Sequence, residues 1–167
     1  MDIIHFSAKE VLEMAIRIEE NGVEFYTRAG NATKSERLKE LFIFLAKEEK
    51  KHIACFEDMD KRVESDDLPG SIDPYLEEGA LYLKALANSR VFTNAHEGKR
   101  LAGEVRGEND ILQTAINMEK DSILFYYELH NAVRDKDKTT LKNLIQQEKD
   151  HLRKLTELQK NFLRSSV

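Results

Sequence analysis

At 167 residues with a net charge of −5, the chain is the size of one domain, 1–167, and carries no basic block of the kind that nucleic acid or an anionic membrane attracts. Charged residues make up 34% against 41% hydrophobic, tryptophan is absent, and glycine and proline are scarce, which favours long amphipathic helices over a sandwich or barrel. The fold class implied is all-α. No stretch approaches the ~20 apolar residues of a spanning helix, and Met1 to Phe6 lack a basic region followed by an apolar run, so a cytoplasmic location without a membrane is expected. Cys55, the lone cysteine, excludes an internal disulfide and a four-cysteine metal site within one chain, and reads as a small buried thiol.

Ser7-Ala8-Lys9-Glu10 has the form of a capping box. Val11, Leu12, Ala15, Ile16, Val23 and Tyr26 then recur at the spacing of one helix face, which predicts a first helix over 8–29 with Gly30-Asn31 as a left-handed stop. Thr33-Lys34-Ser35-Glu36 opens a second helix over 35–62, with Leu38, Leu41, Phe42, Leu45, His52, Ile53 and Phe56 on one side. The turn between them is too short to reach the far end of a helix about 40 Å long, so the two are antiparallel neighbours.

Residues 63–107 hold both prolines and five of the seven glycines, and form a crossover connector with a short helix over 75–87; its last part, 88–107, is either irregular or helical. Such a connector can travel the length of a bundle, so a third helix starts at the same end as the second. Asn109 or Asp110 caps that third helix, which carries Leu112, Ala115, Ile116, Ile123, Tyr126 and Leu129 to an end near Val133. Asp137 caps a fourth, whose Leu141, Leu144, Ile145, Leu152, Leu155 and Leu158 face inward as far as Phe162. The few residues left leave no room for a fifth helix after it. A connector helix that cannot bury itself in the bundle suggests a homodimer or helix exchange.

The two halves repeat. Leu12, Ala15, Ile16, Glu19, Phe25 and Tyr26 match Leu112, Ala115, Ile116, Glu119, Phe125 and Tyr126 at a constant offset of 100 residues. Glu49 and His52 follow in the first half, and Glu148 and His151 in the second, each pair at the i, i+3 spacing that places one oxygen and one nitrogen on a common face. That spacing alone is a weak signal; the placement decides. Glu19, Glu49, Glu119 and Glu148 each interrupt an apolar stripe that faces the core.

Ionised carboxylates in an apolar interior cost several kcal/mol each, and four that converge also repel one another. No lysine or arginine recurs on these faces. Two divalent cations balance four carboxylates, and His52 and His151 complete the coordination, so these six side chains are expected to hold two metal ions. Oxygen-rich coordination with two imidazoles suits iron or manganese, and zinc can occupy it. Tyr26 and Tyr126, two turns beyond Glu19 and Glu119, are candidate hydrogen-bond donors to the ligand carboxylates. Gly22 and Ser122 leave space beside the metals. Glu20 and Glu48 fall about 100° off the ligand face and read as surface charge, as do the unpaired His5, His96 and His130.

This constellation resembles the ferritin-like di-iron carboxylate superfamily, in which paired helices supply a glutamate and a Glu-x-x-His motif. The hairpin sequences IEENGVEFY and LAKEEKKHI look most like the rubrerythrin group. The resemblance implies a ferritin-like four-helix bundle with a long crossover and two iron ions, bridged by Glu49 and Glu148, with Glu19 and Glu119 terminal and His52 and His151 on one iron each. It implies an oxidoreductase that reduces hydrogen peroxide, or alternatively a ferroxidase that handles iron with oxygen; a non-enzymatic metal-stabilised bundle is the third reading. Typical rubrerythrins carry a further glutamate where Ser122 stands, and an adjacent glutamate and histidine in the last helix, where His151 is followed by Leu152. The site is closer to the symmetric bacterioferritin arrangement. A rubredoxin module is missing, so electrons come from a separate, rubredoxin-like donor protein.

Overall fold

The computed structural model describes residues 8–63, 85, 95–133 and 135–165. These form α1 (Ala8–Ala32), α2 (Glu36–Val63), α3 (Glu97–Glu104), α4 (Glu108–Ala132) and α5 (Asp135–Ser165). The pairs α1/α2 and α4/α5 each make a hairpin with an extensive interface, while α1 meets α4 and α2 meets α5 across the middle. The expected helical bundle with a long crossover is present.

The core is split into two apolar clusters. One gathers Val11, Leu12, Ala15 and Ile18 with Phe56, Met59, Phe125, Tyr126, Leu129, Leu141, Leu144 and Ile145. The other gathers Phe25, Tyr26 and Ala29 with Leu38, Phe42, Leu45, Ile111, Leu112, Ala115, Ile116 and Leu155. The internal repeat explains the division: Leu12 and Phe25 fall in opposite clusters, and so do Leu112 and Phe125. Between the clusters lies a waist of buried polar residues, Glu19, Glu49, His52, Glu119, Glu148 and His151. Cys55 is half-buried against the first cluster.

Three helix ends differ from the sequence expectation, the first and third because a tertiary contact overrides a local signal. Gly30 does not stop α1, which continues to Ala32, and among the described residues only His96 and Gly107 have positive φ. A Cβ at Gly30 would sit 3.3 Å from the Cβ of Phe42, so this glycine serves close packing of α1 on α2. The cap of α4 is Gly107, at φ 92°, rather than Asn109 or Asp110; Asp110 lies one turn in and accepts the N–H of Arg106 at 2.7 Å. Asp137 lies inside the first turn of α5, two residues after its start, and its buried carboxylate meets Arg62 from the end of α2 at 3.1 Å. Within the expected capping box it is Ser35, not Thr33, that caps α2, its hydroxyl accepting the N–H of Leu38 at 3.3 Å, while the Thr33 hydroxyl accepts the N–H of Ser35 at 3.2 Å.

The connector helix expected over 75–87 lies, apart from Ala85, outside the described residues. In the later connector, α3 packs on α1, with Leu101, Ala102 and Val105 against the second cluster. Gly98 permits this approach: its N–H donates to Asn21 Oδ1 at 3.2 Å, and a Cβ there would lie 1.8 Å from the Asn21 carbonyl oxygen. His96 is exposed and pairs with Glu24 at 2.6 Å. Among the described residues, the helix beyond the four of the bundle is in the crossover.

Candidate metal centre

Each of the four long helices contributes to the waist: α1 gives Glu19, α2 gives Glu49 and His52, α4 gives Glu119, and α5 gives Glu148 and His151. All six sequence candidates converge. Glu19, Glu49, His52 and Glu148 offer ligand atoms within 4.8 Å of one another, and Glu49, Glu119, Glu148 and His151 form a second such set. The two sets share Glu49 and Glu148.

The histidines face the cluster through Nδ1. His52 Nδ1 lies 2.8 Å from Glu148 Oε1, 3.1 Å from Glu49 Oε2 and 3.5 Å from Glu19 Oε2. His151 Nδ1 lies 3.0 Å from Glu148 Oε2, 3.5 Å from Glu49 Oε1 and 3.8 Å from Glu119 Oε2. The rings stack with centroids 5.6 Å apart. Each imidazole thus presents one nitrogen to carboxylates from both hairpins.

The tyrosines cross between the halves. Tyr26 donates its hydroxyl proton to Glu119, and Tyr126 donates to Glu19, so the hydroxyl on each hairpin fixes a carboxylate of the other. Burial, followed by the charges of Glu119 and Glu49 for Tyr26 and of Glu19 and Glu148 for Tyr126, raises both phenols well above their ordinary range. Both remain donors.

The electrostatics of the chain alone show what the cluster needs. Burial, then Glu148 and Glu19, pushes Glu49 well above the carboxylate range, and burial, then Glu148 and Glu49, does the same to Glu119. Burial opposes the charge on His52, but Glu19 and hydrogen bonds to carboxylates overcome it and raise the ring; His151 is raised against burial chiefly by its hydrogen bond to Glu148. Glu148 is held low, because His151 and His52 outweigh its burial. Protons must therefore neutralise the waist when no other cation does. Glu148 Oε1 is buried without a directed hydrogen bond, although His52 Nδ1 is 2.8 Å away. A donor set of four carboxylates and two imidazoles, gathered into two overlapping groups whose ligand atoms lie within 4.8 Å of one another, fits divalent cations.

A profile of the Rubrerythrin family matches residues 10–159. The chain belongs to the Rubrerythrin family. This rubrerythrin-family chain is also 32% identical to a Thermotoga maritima protein described as a ferritin-like diiron-carboxylate protein, whose crystal structure covers 93% of this chain and 96% of its own with a TM-score of 0.68. No curated protein matches it significantly.

Beside the carboxylates of this rubrerythrin-family site is a small pocket walled by Ile18, Gly22, Met118 and Ser122. A Cβ at Gly22 would sit 3.2 Å from Glu49 Cγ, and the Ser122 hydroxyl donates to the Met118 carbonyl at 3.1 Å, which turns its proton away from the pocket. Two neighbours were not legible in the sequence. Gln147 Oε1 lies 2.9 Å from His52 Nε2, and the Phe44 ring meets His151 edge-on with Lys154 above it. Glu48 is only partly exposed and is paired with Lys51, while Glu20 is exposed as expected. His130 is half-buried, and His5 lies outside the described residues. Among the described residues, no helix is long and apolar enough to cross a membrane.

Proposed function

We propose that this protein is a di-iron oxidoreductase that reduces hydrogen peroxide with electrons from a separate, rubredoxin-like donor protein. The observation that carries the reading is the pair of overlapping donor sets sharing Glu49 and Glu148, in a chain of the Rubrerythrin family. The diiron-carboxylate description of the Thermotoga maritima relative supports iron over manganese or zinc. Glu49 and Glu148 would hold both ions, Glu19 and His52 one, and Glu119 and His151 the other. Bound iron would supply one electron per ion and Lewis acidity toward a bound oxygen atom.

Peroxide reduction to two waters consumes two electrons and two protons. The chain's own residues serve the remaining needs. Gly22 and Ser122 leave room for a small substrate beside the carboxylates, and Ile18 and Met118 make that space apolar on its other walls. Tyr26, which also lines it, keeps a proton on its hydroxyl within reach of Glu119. Tyr26 and Tyr126 hold Glu119 and Glu19 against the swing that a bare carboxylate would make.

Stopped-flow mixing of the iron-loaded, reduced protein with peroxide and, separately, with oxygen tests the reading. Fast two-electron oxidation by peroxide, with oxygen much slower, is the expected result. Faster reaction with oxygen, together with uptake of many irons per chain, would favour iron oxidation and storage instead. An unchanged metal spectrum with both oxidants would leave a structural metal bundle.

A further inference from the structure

The symmetry that governs the ligands does not extend to the groups behind the histidines. His52 and His151 both turn Nδ1 toward the carboxylates. His52 Nε2 then meets Gln147 Oε1 at 2.9 Å. On His151, no described residue accepts a hydrogen bond from Nε2, and the ring lies edge-on to Phe44 with centroids 6.1 Å apart. The residue that repeats Gln147 in the first hairpin is Glu48, 99 positions earlier, and its carboxylate is taken by Lys51.

The Gln147 contact has a fixed sense. His52 Nε2 carries a proton both when the ring is doubly protonated and when Nδ1 is given to a cation, so the amide must accept through its oxygen. A partner that holds Nε2–H fixes the tautomer, orients the ring and makes Nδ1 a better ligand. We propose that Gln147 is a positioning residue acting through His52, and that it makes the half-site of Glu19, Glu49, His52 and Glu148 bind a divalent cation more tightly than the half-site of Glu49, Glu119, Glu148 and His151. The inference rests on the metal-centre reading above and adds an inequality between its halves.

Cobalt(II) added to metal-free, full-length protein in a calorimeter should bind in two steps about 10- to 100-fold apart in affinity, the range typical of a lost partner behind a ligating histidine. Q147L removes the acceptor and should weaken the tighter step by a similar factor, bringing the two together. Q147E keeps an oxygen in place and should restore the separation. In zinc-loaded protein, histidine-ring 1H–15N spectra should show a slowly exchanging Nε2–H on His52 that Q147L loses and Q147E keeps. Two equal steps in the unmodified protein would overturn the inference, as would a tighter step unmoved by Q147L, since solvent would then serve as well as the amide. Two cobalt ions bound with affinities that do not change between the unmodified protein and Q147L would sink this inference alone, whereas no uptake would overturn the metal-centre reading and this inference with it.

Discussion

Tyr126 on α4 donates its hydroxyl proton to Glu19 on α1, and the repeat reproduces the contact in reverse between Tyr26 and Glu119. The waist is thereby tied across the two hairpins before any cation enters. Each tyrosine also belongs to an apolar cluster, Tyr126 to one and Tyr26 to the other, so packing of the clusters sets the position of the carboxylates. Core packing and ligand geometry are one problem in this fold.

Removing either hydroxyl should therefore weaken metal binding without dissolving the core. Tyr126→Phe keeps the ring and leaves a buried oxygen of Glu19 without its donor, a loss of about 1–3 kcal/mol where the group stays charged. The expected outcome is a metal affinity lower by about 10- to 100-fold, with Tyr26→Phe giving a similar loss at the Glu119 side. Calorimetric titration of each variant checks this, and an affinity unchanged in both would show that the tyrosines serve packing alone.

The shared carboxylates should behave differently from the unshared ones. Glu49 and Glu148 belong to both donor sets, while Glu19 and Glu119 belong to one each. Glu49→Ala or Glu148→Ala should abolish paired occupancy, and Glu19→Ala should spare the ion held by Glu119 and His151. Metal content by mass spectrometry on protein grown with excess iron distinguishes these outcomes. Full two-ion occupancy in Glu49→Ala would remove the bridging role.

The metal-free protein should lose stability as pH rises. Glu49 and Glu119 are raised when folded, as are His52 and His151, so the folded state binds more protons than the unfolded chain above the unfolded values of about 4.3 and 6.5. By linkage, stability then falls with increasing pH across the window from about 5 to 9. Glu148, held low, has the opposite sign, but it acts below that window. Metal should reverse the trend, since ligand deprotonation favours binding at higher pH. Thermal melts at about pH 5.5 and 8.5, with and without metal, check both signs.

How much of this was legible in the sequence follows from which contacts are local. The six candidate ligands were visible because acids that break an apolar stripe stand out, and the internal repeat made them and their paired histidines stand out twice. Tyr26 and Tyr126 were visible as candidates, but their crossed pairing depends on how the hairpins meet. Gln147 gave no signal, because it occupies an exposed position of α5 and only its amide tip reaches His52. Gly30 and Asp137 carried true helix-end signals that a packing contact with Phe42 and an ion pair with Arg62 put to other use.

The docking of α3 makes a sharper test of such packing contacts. At Gly98 a Cβ would fall 1.8 Å from the Asn21 carbonyl oxygen, and both partners are backbone, so Gly98→Ala must displace α3 from α1. The expected cost is about 1–3 kcal/mol, with faster hydrogen exchange across 97–104. Gly103 on the same helix has nothing within 4 Å of its would-be Cβ, so Gly103→Ala should instead stabilise by about 0.5–1 kcal/mol through helix propensity. Equal effects of the two substitutions would show that α3 does not dock as described.

Gly22 offers the opposite case, in which stability and function should part. Alanine in the interior of a helix gains about 1 kcal/mol over glycine, and the contact it makes here, 3.2 Å to Glu49 Cγ, can be relieved by a small shift of a side chain rather than of backbone. The melting temperature of Gly22→Ala should therefore change little. The shift falls on a carboxylate assigned to both ions, however, and the added methyl enters the pocket between Ile18 and Ser122. Misplacement of reacting groups by a few tenths of an ångström, with a narrowed pocket, should slow oxidation by peroxide about tenfold or more. Stopped-flow rates at full metal occupancy check this, and an unchanged rate would place substrate entry elsewhere than beside Gly22.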